Sequence, residues 1–283
     1  MNLFNDNERF ISILSDYGFK ATFGNETDSL FLRTALQALI QSDTPIREVK
    51  FDKNAFEALT VDSRSGIFDL SCTDENGTQF IVEMQLGYAP HFVQRMKFYA
   101  LHKFNTLVER GEFDYANLPR LYMIAFLEKS ILPTTSFHTV ANLRSKQGEI
   151  VDSQMTFITV ELAKFGKPAA EIKTDLEKLV YTMKTLHTTE PTQYPEFWNE
   201  EWLRRAIHEL DTRAMSPEER AYFARVTAAS AEAVKAEKRR IEEVKTEAVR
   251  NGLREGLAID LIARLNSVSP EFVLDVQRKL SDR

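Results

Sequence analysis

Gly66-Ile67-Phe68-Asp69-Leu70-Ser71-Cys72-Thr73-Asp74-Glu75-Asn76-Gly77-Thr78-Gln79-Phe80-Ile81-Val82-Glu83-Met84-Gln85 holds two runs of alternating residues on either side of an Asn76-Gly77 pair. Alternation at period two marks a half-buried strand, and Asn-Gly between two such runs signals a hairpin. The register follows from the loop. If Glu75-Asn76-Gly77 forms a type I turn closed by Gly77 in the left-handed region, Asp74 pairs with Thr78 and, counting back, Asp69 falls opposite Glu83. Opposed residues share a face and lie roughly 5 Å apart at Cβ, and Gln85 projects from that face as well. A two-residue Asn76-Gly77 loop would shift the count by one and send the carboxylates to opposite faces. The first register gathers Phe68, Leu70 and Cys72 with Phe80, Val82 and Met84 on one face and Asp69, Ser71, Glu83 and Gln85 on the other, so the alternation supports it. Two carboxylates that close repel one another and lose hydration, and a hard divalent cation between them is the usual remedy. The alternative is a solvent-facing hairpin with two ordinary surface acids. Glu83 lies in an otherwise apolar run, which argues against idle exposure.

The segments around the hairpin alternate between helix and strand periods. From about Asn7 to Ser42 the apolar spacing is helical, with an interruption near Gly24-Asn25 that takes in Asp16 to Gly24; Val49 to Asp52 reads as a strand. Pro90 to Glu109 reads as an amphipathic helix ended by Gly111, and Pro119 to Glu128 as a buried strand. Phe137 to Leu143 and Met155 to Leu162 are strand-like and flank a turn at Gly148. Helices follow: about Ala170 to His187, Glu196 to Asp211, and Pro217 to about Leu265. Ser216 is placed to cap the last of these, with Pro217 at its first position and Glu219 three residues after the cap. Ser269-Pro270-Glu271 starts a final short helix. The expectation is an α/β core over 1–166, a helical extension over 167–215, and a long charged helix with a short terminal helix over 216–283.

The chain has 283 residues, 43 % hydrophobic and 28 % charged, a globular composition. Its single cysteine, Cys72, rules out an intrachain disulfide and a cysteine-rich zinc site and suits a reducing compartment. Met1 to Arg9 carries no apolar stretch of signal-peptide length, and the longest apolar runs fall far short of the about 20 residues that span a bilayer. A cytoplasmic protein without membrane contact is the expectation. A net charge of −6 argues against a wholly basic surface without excluding a local basic cleft. The five histidines lack metal-ligand spacing, and neither a Gly-rich phosphate loop nor a nucleophile elbow is present. Ala231 to Arg254, rich in Ala, Glu, Lys and Arg, reads as a solvated helix, with partner or DNA binding as the alternative and homo-oligomer assembly through this helix as a candidate.

An Asp on one strand followed by a Glu-x-Lys-like pair on the next resembles the PD-(D/E)xK nuclease superfamily, Glu83-Met84-Gln85 being the version with Gln for Lys. Asp16, Phe19-Lys20 and Phe23-Gly24 upstream, with Arg95 and Tyr99 downstream, make the chain similar to the Rpn-type recombination-promoting nuclease and putative transposase family over about Ser15 to Phe165. The resemblance implies a restriction-endonuclease-like α/β core, a mixed sheet flanked by helices, with a mostly helical C-terminal extension. It also implies a metal-dependent DNA endonuclease. Mg²⁺ or Mn²⁺ would be held by Asp69, Glu83 and the Met84 carbonyl, with Gln85 completing the catalytic set and Arg95, Lys97 and Lys103 meeting the DNA backbone. Phe68 departs from the superfamily's Pro at a position that is not a ligand. Gln85 departs more seriously, because an amide can hydrogen-bond water but cannot neutralise developing charge. Lys20 is the candidate substitute, against the alternative of a surface lysine, and Gln85→Lys is expected to keep or raise cleavage. The rival function is a non-catalytic DNA- or protein-binding relative. A three-carboxylate transposase lacks a third acid in an obvious sequence position.

Overall fold

The computed structural model describes residues 9–52, 55–56, 66–67, 69–87, 91–107 and 114–281. The features expected at Asn7, Phe68, Pro90, Glu109 and Gly111 lie outside these residues. The chain divides into two compact units, Met1–Arg220 and Ala221–Arg283.

In the first unit, α1 (Asp16–Thr22) and α2 (Leu30–Ile40) precede β1 (Val49–Phe51) and a small ribbon of β2 (Ala55–Phe56) with β3 (Gly66–Ile67). The hairpin of β4 (Leu70–Asp74) and β5 (Gln79–Gln85) comes next, then α3 (Phe92–Thr106), β6 (Leu121–Leu127), and a second hairpin of β7 (His138–Arg144) with β8 (Ile150–Glu161). Six strands make one mixed sheet in the order β1-β4-β5-β6-β8-β7. β5, β6 and β8 are parallel, and the flanking pairs are antiparallel. This is the mixed sheet flanked by helices that was expected. The first hairpin has the expected register: Leu70 opposes Val82, Cys72 opposes Phe80, and the Asp74 N–H donates to the Thr78 carbonyl at 3.0 Å. Asp74 Oδ1 accepts from the Asn76 and Thr78 N–H groups, and Gly77 has φ +79°, the left-handed residue that closes such a turn without a Cβ penalty.

Helices cover both faces of the sheet. On one, Phe92, Met96 and Ala100 of α3 pack over Ile81, Met123 and Ala125. On the other, α1 and α2 bring Phe23 into contact with Phe19, Phe31 and Phe126, at centroid distances of 4.7, 5.0 and 5.5 Å. β6 lies between, buried at nearly every position, which is why its sequence is almost continuously apolar. Cys72 is fully buried, and burial pushes its thiol up to about 12, an inert structural cysteine.

Near the N-terminus the helix boundaries differ from expectation. Phe10 to Leu14 is not helical despite its spacing; Phe10 bridges Asp211, and serine side chains satisfy the backbone locally, with Ser12 Oγ accepting from the Leu14 N–H at 3.2 Å. Asp16 to Thr22, expected in an interruption, is instead α1, capped by Ser15 Oγ on the Gly18 N–H at 3.0 Å. The later residues of this unit add α4 (Asp175–Thr185), with a complete Thr174–Glu177 capping box, and α5 (Glu201–Glu209). Both pack on α2, and Arg9 pairs with Asp211 at 2.6 Å, so residues 167–215 join the same compact unit as the sheet.

The helix after Ser216 is α6 (Pro217–Arg254), opened by the expected capping box: the Glu219 N–H donates to Ser216 Oγ at 3.2 Å and Glu219 accepts from the Ser216 N–H at 2.7 Å. It does not run to Leu265. Gly256, at φ +69°, ends it with the Leu257 N–H donating back to the Gly252 carbonyl at 3.0 Å. Two short helices follow, α7 (Ile259–Asn266) and α8 (Pro270–Ser281). They enclose a small core of Val249, Ile262, Ala263, Val273 and Val276. No helix among the described residues is long and apolar enough to cross a membrane.

Candidate active site

Two hydrogen bonds tie Asp69 to the end of β5. The Asp69 N–H donates to Glu83 Oε1 at 3.2 Å, and Asp69 Oδ2 accepts from the Met84 N–H at 2.7 Å. Asp69 stands at a bend just before β4, so the pleat does not fix its side chain; the Met84 bond does. Glu83 is different. It is a strand residue, 6 % exposed, on the face that α3 covers.

Burial sets the acidity of both groups. Loss of hydration, reinforced by the charge of Asp69, pushes Glu83 up to about 8. Asp69 is exposed as a residue, but the desolvation of its inward-turned carboxyl, with a smaller push from Asp16, raises its pKa also. A cation is what such a pair lacks. The donor set fits one: two carboxylates, with the Met84 carbonyl beside them because the N–H and C=O of one strand residue point to the same edge, give hard oxygen ligands suited to Mg²⁺ or Mn²⁺. Among the described residues no three His, Cys, Asp or Glu side chains form a ready-made cage, so water and substrate oxygens would complete the shell.

Positive charge reaches the site from α3. Arg95 donates through Nη2 to Gln85 Oε1, lies over the Phe92 ring at 4.8 Å, and opposes the upward shifts of both Asp69 and Glu83. Gln85 Nε2 donates to the Leu86 carbonyl at 2.8 Å, so its amide is engaged at both ends. Tyr99, one turn beyond Arg95, has its phenol raised by burial and by the charge of Glu83. α1 and the turn before it form the other wall: Leu14, then Asp16, Phe19 and Lys20 of α1, line a cleft of about 130 Å³ with Asp69 and Met84. Lys20 is exposed and pairs with Asp16 at 3.1 Å, and its charge also favours ionised Asp69.

The sequence-predicted residues therefore divide. Asp69, Glu83, Met84, Gln85 and Lys20 converge on one end of the hairpin, and Arg95 joins them through its bond to Gln85. Lys97 is exposed on α3. Lys103 is 12 % exposed and bound to Asp52 Oδ2 at 3.0 Å, where it fastens α3 to the sheet. Asp16 and Tyr99 were not singled out as site residues. The signal for both was helical spacing: Asp16 stands four residues before Lys20 and Tyr99 four after Arg95, one face of a helix in each case.

Neither the curated proteins nor the solved structures give a match. A family described as PD-(D/E)XK nuclease family transposase matches residues 13–238, from the start of the cleft's α1 wall to the middle of α6. With the match covering most of the chain, the chain belongs to the PD-(D/E)XK nuclease family transposases.

Proposed function

We propose that the protein is a metal-dependent DNA endonuclease that hydrolyses phosphodiester bonds, acting in recombination or on mobile elements. The observation that carries this reading is Glu83: a carboxyl 6 % exposed and pushed up to about 8, beside the Asp69 carboxyl that lines an open cleft. A fold does not maintain such a group for stability, because burying a second acid beside the first costs free energy until a cation is bound. Family membership supports a nuclease-like role.

Asp69, Glu83 and the Met84 carbonyl would hold Mg²⁺ or Mn²⁺, which when bound lowers the pKa of water and withdraws charge from the scissile phosphate. The chain's own residues supply the rest. Arg95 stabilises negative charge building on the phosphate oxygens, the part lysine plays in the superfamily motif, and Gln85 holds the guanidinium in place. Lys20, with Asp16 as its partner, offers a second cation on the opposite wall. Lys97 contacts the DNA backbone outside the cleft.

Nicking of supercoiled plasmid tests the proposal. Wild type should nick in Mg²⁺ or Mn²⁺ and not in EDTA, and Asp69→Ala and Glu83→Gln should abolish nicking while retaining the wild-type circular dichroism spectrum. A second reading, a DNA- or protein-binding relative with a decayed site, draws on the engagement of Gln85 at both ends of its amide. Wild type inert with every divalent cation, yet still binding DNA, would establish that reading instead.

A further inference from the structure

Gln85 holds Arg95, and the peptide between Leu86 and Gly87 holds Gln85. The Gln85 Nε2 donates to the Leu86 carbonyl at 2.8 Å, and its Oε1 accepts from Arg95 Nη2. The other edge of that same peptide is the Gly87 N–H, which donates to Glu128 Oε2 at 2.8 Å. We infer that Glu128 is a positioning residue of the candidate site, fixing the Arg95 guanidinium through the Leu86–Gly87 peptide and the Gln85 amide. The inference rests on the nuclease reading only for what Arg95 does once it is in place.

The register of the sheet puts Glu128 there. β5 and β6 run parallel with Gln85 beside Leu127, and the Glu128 N–H donates to the Gln85 carbonyl at 3.1 Å. In a parallel ladder the next rung joins the N–H two residues on, here that of Gly87, to the Glu128 carbonyl. β6 has ended by this point, and the carboxylate of the same residue takes the N–H in place of the carbonyl. Gly87 adopts φ +78° as the chain leaves β5, so the bond holds the peptide where the strand no longer does. Leu86, whose carbonyl is the far side of that peptide, lines the cleft beside Asp69 and Met84.

Every link donates in the same direction. The guanidinium donates to the Gln85 amide oxygen, the amide nitrogen to the Leu86 carbonyl, and the Gly87 N–H to the carboxylate. A cation thus stands at one end of a row of aligned dipoles and an anion at the other, and each bond polarises the next. Lys129, paired with Glu128 Oε1 at 2.9 Å, and the Gly87 N–H hold the Glu128 carboxyl below the usual glutamate range, so it is an acceptor at neutral pH. The Leu86 carbonyl demands a donor, which leaves the Gln85 oxygen to face Arg95; a turned amide would set donor against donor. Arg95 depends on this contact. Its Nε is buried without a partner among the described residues, so the Nη2 bond and the Phe92 ring at 4.8 Å set the orientation of the guanidinium.

Steady-state plasmid nicking in Mg²⁺ and proton–nitrogen NMR spectra of the full chain in EDTA test the inference together. Glu128→Ala should lower kcat roughly tenfold with KM little changed, the loss typical of removing a partner behind a site residue. Glu128→Gln, whose amide oxygen can still accept from the Gly87 N–H, should restore most of it. In a Gln85→Ala background Glu128→Ala should cost nothing further, because the middle link is already gone. Glu149→Ala, the loss of an exposed carboxylate in the turn before β8, should leave kcat unchanged. The Gln85 side-chain amide and Arg95 guanidinium signals should shift in Glu128→Ala and stay in place in Glu149→Ala. Glu128→Ala that nicks like wild type, or whose loss persists undiminished beside Gln85→Ala, overturns the inference, as do Gln85 and Arg95 signals that ignore Glu128→Ala. Should Glu128→Ala fail to fold, hydrogen exchange of wild type decides: a Gly87 N–H exchanging as fast as a free amide overturns the inference, and a protected one supports it. Wild type inert with every divalent cation, while the Gln85 and Arg95 signals still follow Glu128→Ala, would sink the nuclease reading and leave the positioning role standing.

Discussion

A buried carboxyl beside another carboxyl prefers its proton, and Glu83 holds one up to about 8 because water is excluded and Asp69 repels the anion. Its folded pKa lies above its unfolded value, so between the ordinary glutamate range and about 8 the folded chain binds a proton that the unfolded chain has released. The associated stability is complete below the unfolded pKa and is lost as pH rises through this window, by up to about 1.4 kcal/mol per pH unit. In EDTA, the Tm should therefore fall between about pH 5 and about pH 8, Glu83→Gln should flatten that fall, and Mg²⁺ should oppose it at the alkaline end. A wild-type Tm that climbs with pH over this range would contradict the assignment. Arg95 alters a second expectation. With its guanidinium on Gln85, an ammonium introduced by Gln85→Lys would face a like charge. The single change should lower cleavage, contrary to what the motif alone suggests, and Gln85→Lys combined with Arg95→Gln should recover it, as plasmid nicking rates would show. Glu83 could be placed from the hairpin count because it lies within β5; the count stops at Leu70 opposite Val82, and the Asp69 carboxyl is set by its bond to the Met84 N–H, which strand alternation does not encode. The Arg95–Gln85 contact could not be placed, because it depends on where α3 settles after crossing over the sheet.

Elements with strong local chemistry were legible. The Asp74 to Thr78 turn fixed the hairpin register, and Ser216, Pro217 and Glu219 fixed the start of α6. Where spacing and local hydrogen bonding disagreed, spacing misled. Phe10, Ile13 and Leu14 repeat at helical intervals, yet Phe10 and Ile13 are buried, and Leu14 half-buried, by an irregular stretch whose turns are held by Ser12 and Ser15. The break between α6 and α7 was missed because the apolar spacing continues past Gly256, whose left-handed backbone stops the helix. The start of α1 yields a prediction at this scale. The chain before it passes so close that a Cβ on Gly18 would lie 2.1 Å from the Ser12 carbonyl oxygen, whereas a Cβ on Gly77 would meet nothing. Gly77→Ala should cost only the left-handed strain, about 1 kcal/mol. Gly18→Ala must move backbone and should cost more, on the order of 3 kcal/mol. Because Asp16 and Lys20 ride on the same helix, nicking should fall with it. Equal denaturation midpoints for the two variants would show that α1 is not held as described.

At the scale of the whole chain, the boundary that sequence composition suggests near residue 166 does not coincide with a gap in packing. The described N-terminal residues reach across to the end of the helical extension: the Ile11 N–H donates to the Leu210 carbonyl at 2.9 Å, the Thr212 N–H to the Arg9 carbonyl at 3.0 Å, and Arg9 pairs with Asp211. Phe31 of α2 stacks on Trp202 of α5 at 5.6 Å, and the Trp198 indole N–H donates to Thr182 Oγ1 at 2.9 Å. Leu32, Leu36 and Leu39 are fully buried on a helix that packs against both α4 and α5. A chain ended at Gly166 would expose those leucines and leave backbone groups of Arg9 and Ile11 without these partners, losses of several kcal/mol each way against a total stability of about 5–15 kcal/mol. It should not fold. A chain ended at Arg220 loses only α6 beyond its first turn and the three-helix cluster, so it should melt cooperatively near the wild-type Tm and nick plasmid in Mg²⁺. Circular dichroism melts of the two truncations, with the plasmid assay on the longer one, provide the measurement. A folded 1–166 fragment, or an unfolded 1–220 fragment, would mean that the cooperative unit is not the one the packing defines.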